Sequence, residues 1–157
     1  MAQPEISTKV VPATKVAYVA KKGSYDLIPQ AMGEVFGFVA RLSVAPAGMP
    51  LGVYFNNPRE TPVEDLVWEL QVPVPPDTSE RREGDFGVKA VPERLIAFAL
   101  HRGPYDSVAP AYDALSAWIA REGYRIAGPP EEAYFTPPGV PPEQIVTEIR
   151  FPIAKAS

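Results

Sequence analysis

The chain is written twice. Displaced by 80 residues, STKVVPATKVAYVAKKGSYD meets GVKAVPERLIAFALHRGPYD, so that Lys9, Val11 and Pro12 fall on Lys89, Val91 and Pro92. In the same register Gly23, Tyr25 and Asp26 fall on Gly103, Tyr105 and Asp106, FVAR (38–41) on WIAR (118–121), and Tyr54-Phe55 on Tyr134-Phe135. After a one-residue slip VWELQVPV (67–74) coincides with VTEIRFPI (146–153), which puts Glu69 on Glu148 and Pro73 on Pro152. An ordered series of matches over almost the whole chain marks a tandem duplication, about 6–74 and 86–153, with the polar stretch 75–85 as linker. The two repeats fill one domain, 1–157.

Each half has the same pattern. Alternating, β-branched segments (15–20 and 95–100) predict strands that end at Gly23 and Gly103. Ile28, Met32, Val35, Phe36 and Val39 then recur at helical spacing, as do Val108, Tyr112, Leu115 and Ile119. Asp26 and Asp106 are the expected caps, Pro29 and Pro110 fall in the first turns, and Gly123 closes the second helix. Segments 52–56 with 66–74, and 133–136 with 145–153, complete the halves as strand pairs. The fold class is α+β: strand–helix–strand–strand, twice, in an antiparallel sheet with both helices on one face and the other face left for a cleft or for solvent.

Side chains alternate along a strand, so Trp68, Leu70, Val72, Ile149 and Phe151 are expected to pack under the helices. Val67, Glu69 and Gln71, with Val146, Glu148 and Arg150, take the opposite face. By the same parity Tyr54, Tyr134 and Glu132 are expected beside these glutamates, with Phe55 and Phe135 in the core. Two readings stay open: a lined cleft, or a solvated glutamate ladder rimmed by tyrosines.

Composition removes several chemistries. Without cysteine there is no disulfide, thiolate catalysis or cysteine-held metal, and a lone histidine, His101, is a poor basis for a transition-metal site. No cofactor motif is present, and the glycines at 48, 52 and 139 lack phosphate-loop spacing. A net charge of −4 without a basic run argues against nucleic acid as a direct partner. No apolar run approaches the ~18 residues of a membrane span, and the start carries no apolar signal core, so cytoplasmic residence is expected. His101, Tyr25, Tyr105 and Trp118 read as structural.

GSYD and GPYD before the helices, the run LGVYFNNPRETPVEDLVWELQVPV and the ending GPPEEAYFTPPGVPPEQIVTEIRFPI together resemble the GyrI-like family. This is the effector-binding domain shared with BmrR-type multidrug regulators and the C-termini of some AraC-type regulators. The resemblance implies two fused modules with a pocket for aromatic, often cationic, lipophilic compounds. It implies pocket glutamates at Glu132 and Glu148, with Glu69 as the pseudo-symmetric third, and lining aromatics at Tyr54 and Tyr134. Arg150 departs from the pattern, a cation beside Glu148 where an aromatic is expected. Both repeats use up these 157 residues, so a helix-turn-helix within them is not expected.

Binding without turnover, as sensor or scavenger, is the first functional expectation. The second is a hydrolase that opens strained rings of aromatic compounds, with Glu69, Glu148 and Tyr134 as acid–base candidates. The third is a protein-interaction module such as a gyrase inhibitor, which the modest net charge of −4 supports little as a DNA mimic.

Overall fold

The computed structural model describes residues 5–104, 107–136 and 139–156. Tyr105 and the expected cap Asp106 lie outside the described residues. Along the chain run β1 (Ile6–Val11), β2 (Thr14–Lys22), α1 (Ile28–Arg41), β3 (Leu51–Tyr54), β4 (Val67–Val74) and β5 (Arg81–Glu83). The second half continues with β6 (Phe86–Val91), β7 (Arg94–Arg102), α2 (Ala109–Arg121), β8 (Tyr124–Ile126), β9 (Glu131–Tyr134) and β10 (Val146–Lys155). No described helix is long and apolar enough to cross a membrane.

Two compact units form: Pro12–Glu93, and Met1–Val11 together with Arg94–Ser157. In the first unit the strands lie in the order β3-β4-β2-β6-β5, and in the second β1-β7-β10-β9, with β8 also on β10. Pairing within both is antiparallel. The fold is the expected α+β class, with one strand more at the head of each half and two further short strands, β5 in the stretch 75–85 and β8 after α2. Those leading strands are exchanged: β1 pairs with β7, and β6 pairs with β2. Pro12-Ala13 and Pro92-Glu93 explain why neither folds back on the strand that follows it. A two-residue hairpin needs positive φ at its first turn residue, which proline's ring forbids.

Each unit packs its helix on one face of its strands. In the first, Ala31, Val35, Phe38 and Val39 of α1 bury against Trp68, Leu70 and Val72 of β4 and Ala17 and Val19 of β2. In the second, Ala111, Leu115 and Ile119 of α2 bury against Ala97, Ile149, Phe151 and Ile153. Each large apolar side chain so buried contributes about 1.5–3 kcal/mol, which is how the 3.6-residue stripe becomes tertiary stability.

The helix entries differ in part from expectation. Pro29 and Pro110 do occupy the first turns. The cap at the first entry, however, is Ser24, whose Oγ accepts the Asp26 N–H at 3.0 Å, and not the Asp26 carboxylate. Gly123 closes α2 with φ 82°, while its counterpart Ser43 takes φ 58° after α1. Phe55 and Phe135 are not in the core but 48% and 37% exposed. Tyr54 and Tyr134, directly before them, take the helix side, so alternation turns Phe55 and Phe135 to the other face.

Candidate ligand-binding site

Glu69 and Glu148 are not a solvated ladder, for they are 5% and 2% exposed. Both lie on the strand face away from their unit's helix, as the alternation predicts, and each is neutralised by the exchanged strand. Lys89 of β6 reaches Glu69 at 2.7 Å, and Lys9 of β1 reaches Glu148 at 2.9 Å. The ammonium groups also rest on aromatic rings, Lys89 4.6 Å from the Tyr18 centroid and Lys9 4.3 Å from that of Phe98. Gln71 donates to Glu69 at 2.6 Å, and Arg150 donates to Glu148 at 2.6 Å. Buried Glu131 takes two hydrogen bonds from Arg94, at 2.7 and 3.0 Å, with Arg150 3.6 Å away. The two glutamates thus have the environment a bound organic cation would offer, supplied by the chain itself.

The other expected site residues are placed by register. Tyr54 stands opposite Trp68 and Val53 opposite Glu69, so Tyr54 is on the helix side, in the core of the first unit. In the second unit Tyr134 stands opposite Thr147 and Glu132 opposite Ile149. These two residues also belong to the helix side, and it is Glu131 that shares a face with Glu148 and Arg150. The expectation that Tyr54, Tyr134 and Glu132 join the Glu69 face is therefore corrected. Parity within a strand is intrinsic, but the phase between two strands is set by their pairing. Val67 is exposed at the start of β4.

The helix side of the second unit gathers a different set of groups. His101 of β7, Thr147 of β10 and Tyr134 of β9 form one row across three adjacent strands. Glu132 lies one pleat away from Tyr134, and Tyr112 of α2 donates its hydroxyl to Glu132 Oε2 at 2.5 Å. The Tyr112 ring packs edge-on against Phe151, with centroids 5.9 Å apart, which fixes its direction. Burial pushes the Glu132 carboxyl above its ordinary value of 4.5, against hydrogen bonds from Tyr112 and Tyr134 and the charge of His101, which draw it down. Glu132 is half-buried as a residue, but its carboxyl lies deep enough for desolvation to dominate. Among the described residues no lysine or arginine pairs with it, whereas Glu69, Glu131 and Glu148 all have one.

Two further features complete the cluster. His101 Nε2 meets the Pro104 carbonyl at 3.0 Å and Ser107 Oγ at 3.2 Å; a carbonyl only accepts, so this nitrogen carries the hydrogen. Thr147 is 0% exposed, and its Oγ1 has no hydrogen-bond partner among the described residues. A hydroxyl buried in that way costs about 1–3 kcal/mol. Sequence reasoning named Glu132 and Tyr134 but missed Tyr112, which the apolar stripe of its helix concealed. It also missed Thr147, whose signal was available: it replaces Trp68 in the second copy of the last strand.

Known proteins share this fold. A protein called DNA gyrase inhibitor from Erwinia billingiae is 31% identical over 109 residues, which are 68% of this chain and 70% of that protein. The C-terminal domain of EcmrR superposes with a TM-score of 0.86 at 20% identity, covering 99% of this chain and all of that domain. In the EcmrR–DNA complex the chain spans 58% of the EcmrR subunit. SAV2435, solved with tetraphenylphosphonium bound, shares the fold with a TM-score of 0.57 at 12% identity, over 96% of this chain and 94% of that one. Residues 4–154 match the GyrI-like small molecule binding domain, and the chain belongs to that family.

Proposed function

We propose that the chain binds a small, hydrophobic, aromatic cation in the cytoplasm, without turnover, in the layer between α2 and the strands of the second unit. Glu132 carries this reading, as the enclosed carboxyl whose hydrogen-bond partners are the phenols Tyr112 and Tyr134. Desolvating a carboxylate costs several kcal/mol, and the raised proton affinity of Glu132 expresses that cost. A lipophilic cation would restore the lost solvation, and the faces of Tyr112 and Tyr134 would add about 0.5–2 kcal/mol each. On this reading Glu69, Glu148 and Arg150 hold the exchanged strands, and Tyr54 packs the first core. The tetraphenylphosphonium complex of SAV2435 supports the ligand class, and the likeness to EcmrR's C-terminal domain supports a sensor or scavenger role.

Calorimetric titration with tetraphenylphosphonium tests it. The expected result is binding that weakens about tenfold, roughly 1.4 kcal/mol, in Glu132→Gln and stays within about twofold in Glu69→Gln. Affinity should rise with pH in the wild type, because only the ionised carboxyl attracts the cation, and should be flat in Glu132→Gln. Equal binding by all three proteins, or none, removes the Glu132 site.

The same carboxyl favours a second reading, hydrolysis of a reactive aromatic compound. A carboxyl whose proton affinity burial raises, beside phenols, suits proton donation to a strained ring. Of the catalytic candidates Glu69, Glu148 and Tyr134, only Tyr134 lies in this cluster. Turnover of a cyclopropane-bearing arene that disappears in Glu132→Gln would favour it over binding alone. The name of the Erwinia relative supports a third reading, a protein partner, and a supercoiling assay without inhibition of gyrase would dismiss it.

A further inference from the structure

We infer that Thr147 is a specificity-determining residue, and that the ligand carries a hydrogen-bonding group, such as a hydroxyl, in addition to its charge. The inference rests on the Glu132 site. Thr147 Oγ1 is fully buried without a partner, in the same row as His101 and Tyr134 and on the same face as Glu132. A β-branched side chain in a central strand has few rotamers, so the hydroxyl cannot swing out to solvent. The first copy shows what a closed version of this position looks like. There Trp68 fills the space, and its Nε1–H donates to the Gly23 carbonyl at 2.9 Å. In the second copy a small side chain whose hydroxyl has no partner among the described residues stands in its place, one pleat from a carboxyl that no described lysine or arginine pairs with. A charge and a hydrogen-bonding hydroxyl on one face select for a ligand that offers both. A site built to pair a ligand hydroxyl discriminates against the analogue that lacks it.

Tetraphenylphosphonium and its ortho-, meta- and para-hydroxy derivatives on one ring differ only in that hydroxyl, and Thr147→Val removes the protein's hydroxyl at constant shape. The wild type should bind at least one hydroxy isomer roughly tenfold tighter than the parent cation. Thr147→Val should lose the preference for the hydroxy isomer over the parent, and melt no lower than the wild type, since the variant deletes a hydroxyl that has no partner among the described residues. Equal affinity for all four cations in the wild type overturns the inference, and so does a preference that survives in Thr147→Val. A clear drop in melting temperature would assign Thr147 to the fold instead. If no phosphonium binds the wild type, the Glu132 reading fails first and this one with it. Binding of the parent cation alone leaves Glu132 standing and Thr147 refuted.

Discussion

At four matched positions the two units hold different chemistry on one scaffold. Under α1 stand Lys21, Met32, Gly52 and Trp68; at the same places around α2 stand His101, Tyr112, Glu132 and Thr147. The first set forms a closed layer: Tyr25 packs edge-on against both Tyr54, at 5.2 Å, and Trp68, at 6.2 Å, and the indole N–H is satisfied. The second trades an indole and a thioether for a carboxyl, a phenol and an unpaired hydroxyl. The loss of the large indole is offset by the larger side chains at 112 and 132, so the helix keeps its seat while the layer turns polar. The difference shows that one scaffold can carry an aromatic-packed layer in one copy and a polar one in the other.

Giving the first unit the second unit's residue should have the largest effect. Trp68→Thr leaves a cavity that Gly52 and Met32 do not fill, and should lower stability by about 3–5 kcal/mol in urea denaturation. A loss under about 1 kcal/mol would mean that the first layer is not close-packed, and the contrast would collapse.

A smaller exchange sharpens the comparison on the other face. Tyr18 stands opposite Gly87, and its counterpart Phe98 opposite Ser7. A Cβ at Gly87 would run into the Tyr18 phenol, whereas Phe98 has no hydroxyl there. Gly87→Ser alone should cost about 1–3 kcal/mol by overpacking. Adding Tyr18→Phe should recover only part of it, because the ring's Cζ and the Arg81 carbonyl still crowd a Cβ there, and a double-mutant cycle reads that partial coupling directly.

The last difference is one of slope. The Glu132 proton affinity is raised in the folded chain, so Glu132 contributes stability that is fully present below about pH 4.5 and is lost as pH rises through its folded value. Gly52, its counterpart, contributes no such term. In Glu132→Gln this pH-dependent loss should vanish, so the wild-type-minus-variant stability should fall with rising pH across that window. A difference that is flat with pH would show that Glu132 is not desolvated.

The duplication, both helices, the prolines of their first turns and the glycine after α2 were legible because each is a local or periodic signal. The burial of Glu69 and Glu148 was open in the sequence, since a strand face can be solvated or covered with the same alternation. The exchange of β1 and β6 was hidden. Pro12 and Pro92 forbid a tight hairpin, but nothing local says which strand the freed segment will join. The site was half legible. Glu131 and Glu132 are adjacent, and only the register with β10 decides which joins the ion pairs and which meets Tyr112. Thr147 is ordinary as a strand residue and becomes informative only when it is set against Trp68.

Carboxyl carbon NMR on the glutamate-labelled chain tests whether the Glu132 carboxyl is the counter-ion of a bound cation. With tetraphenylphosphonium absent, the Glu132 signal should titrate above its ordinary value of 4.5; with the cation bound, its midpoint should move to lower pH while the Glu69 and Glu148 signals stay in place. A Glu132 midpoint unchanged by saturating cation, or a shift confined to Glu69 or Glu148, would contradict the account.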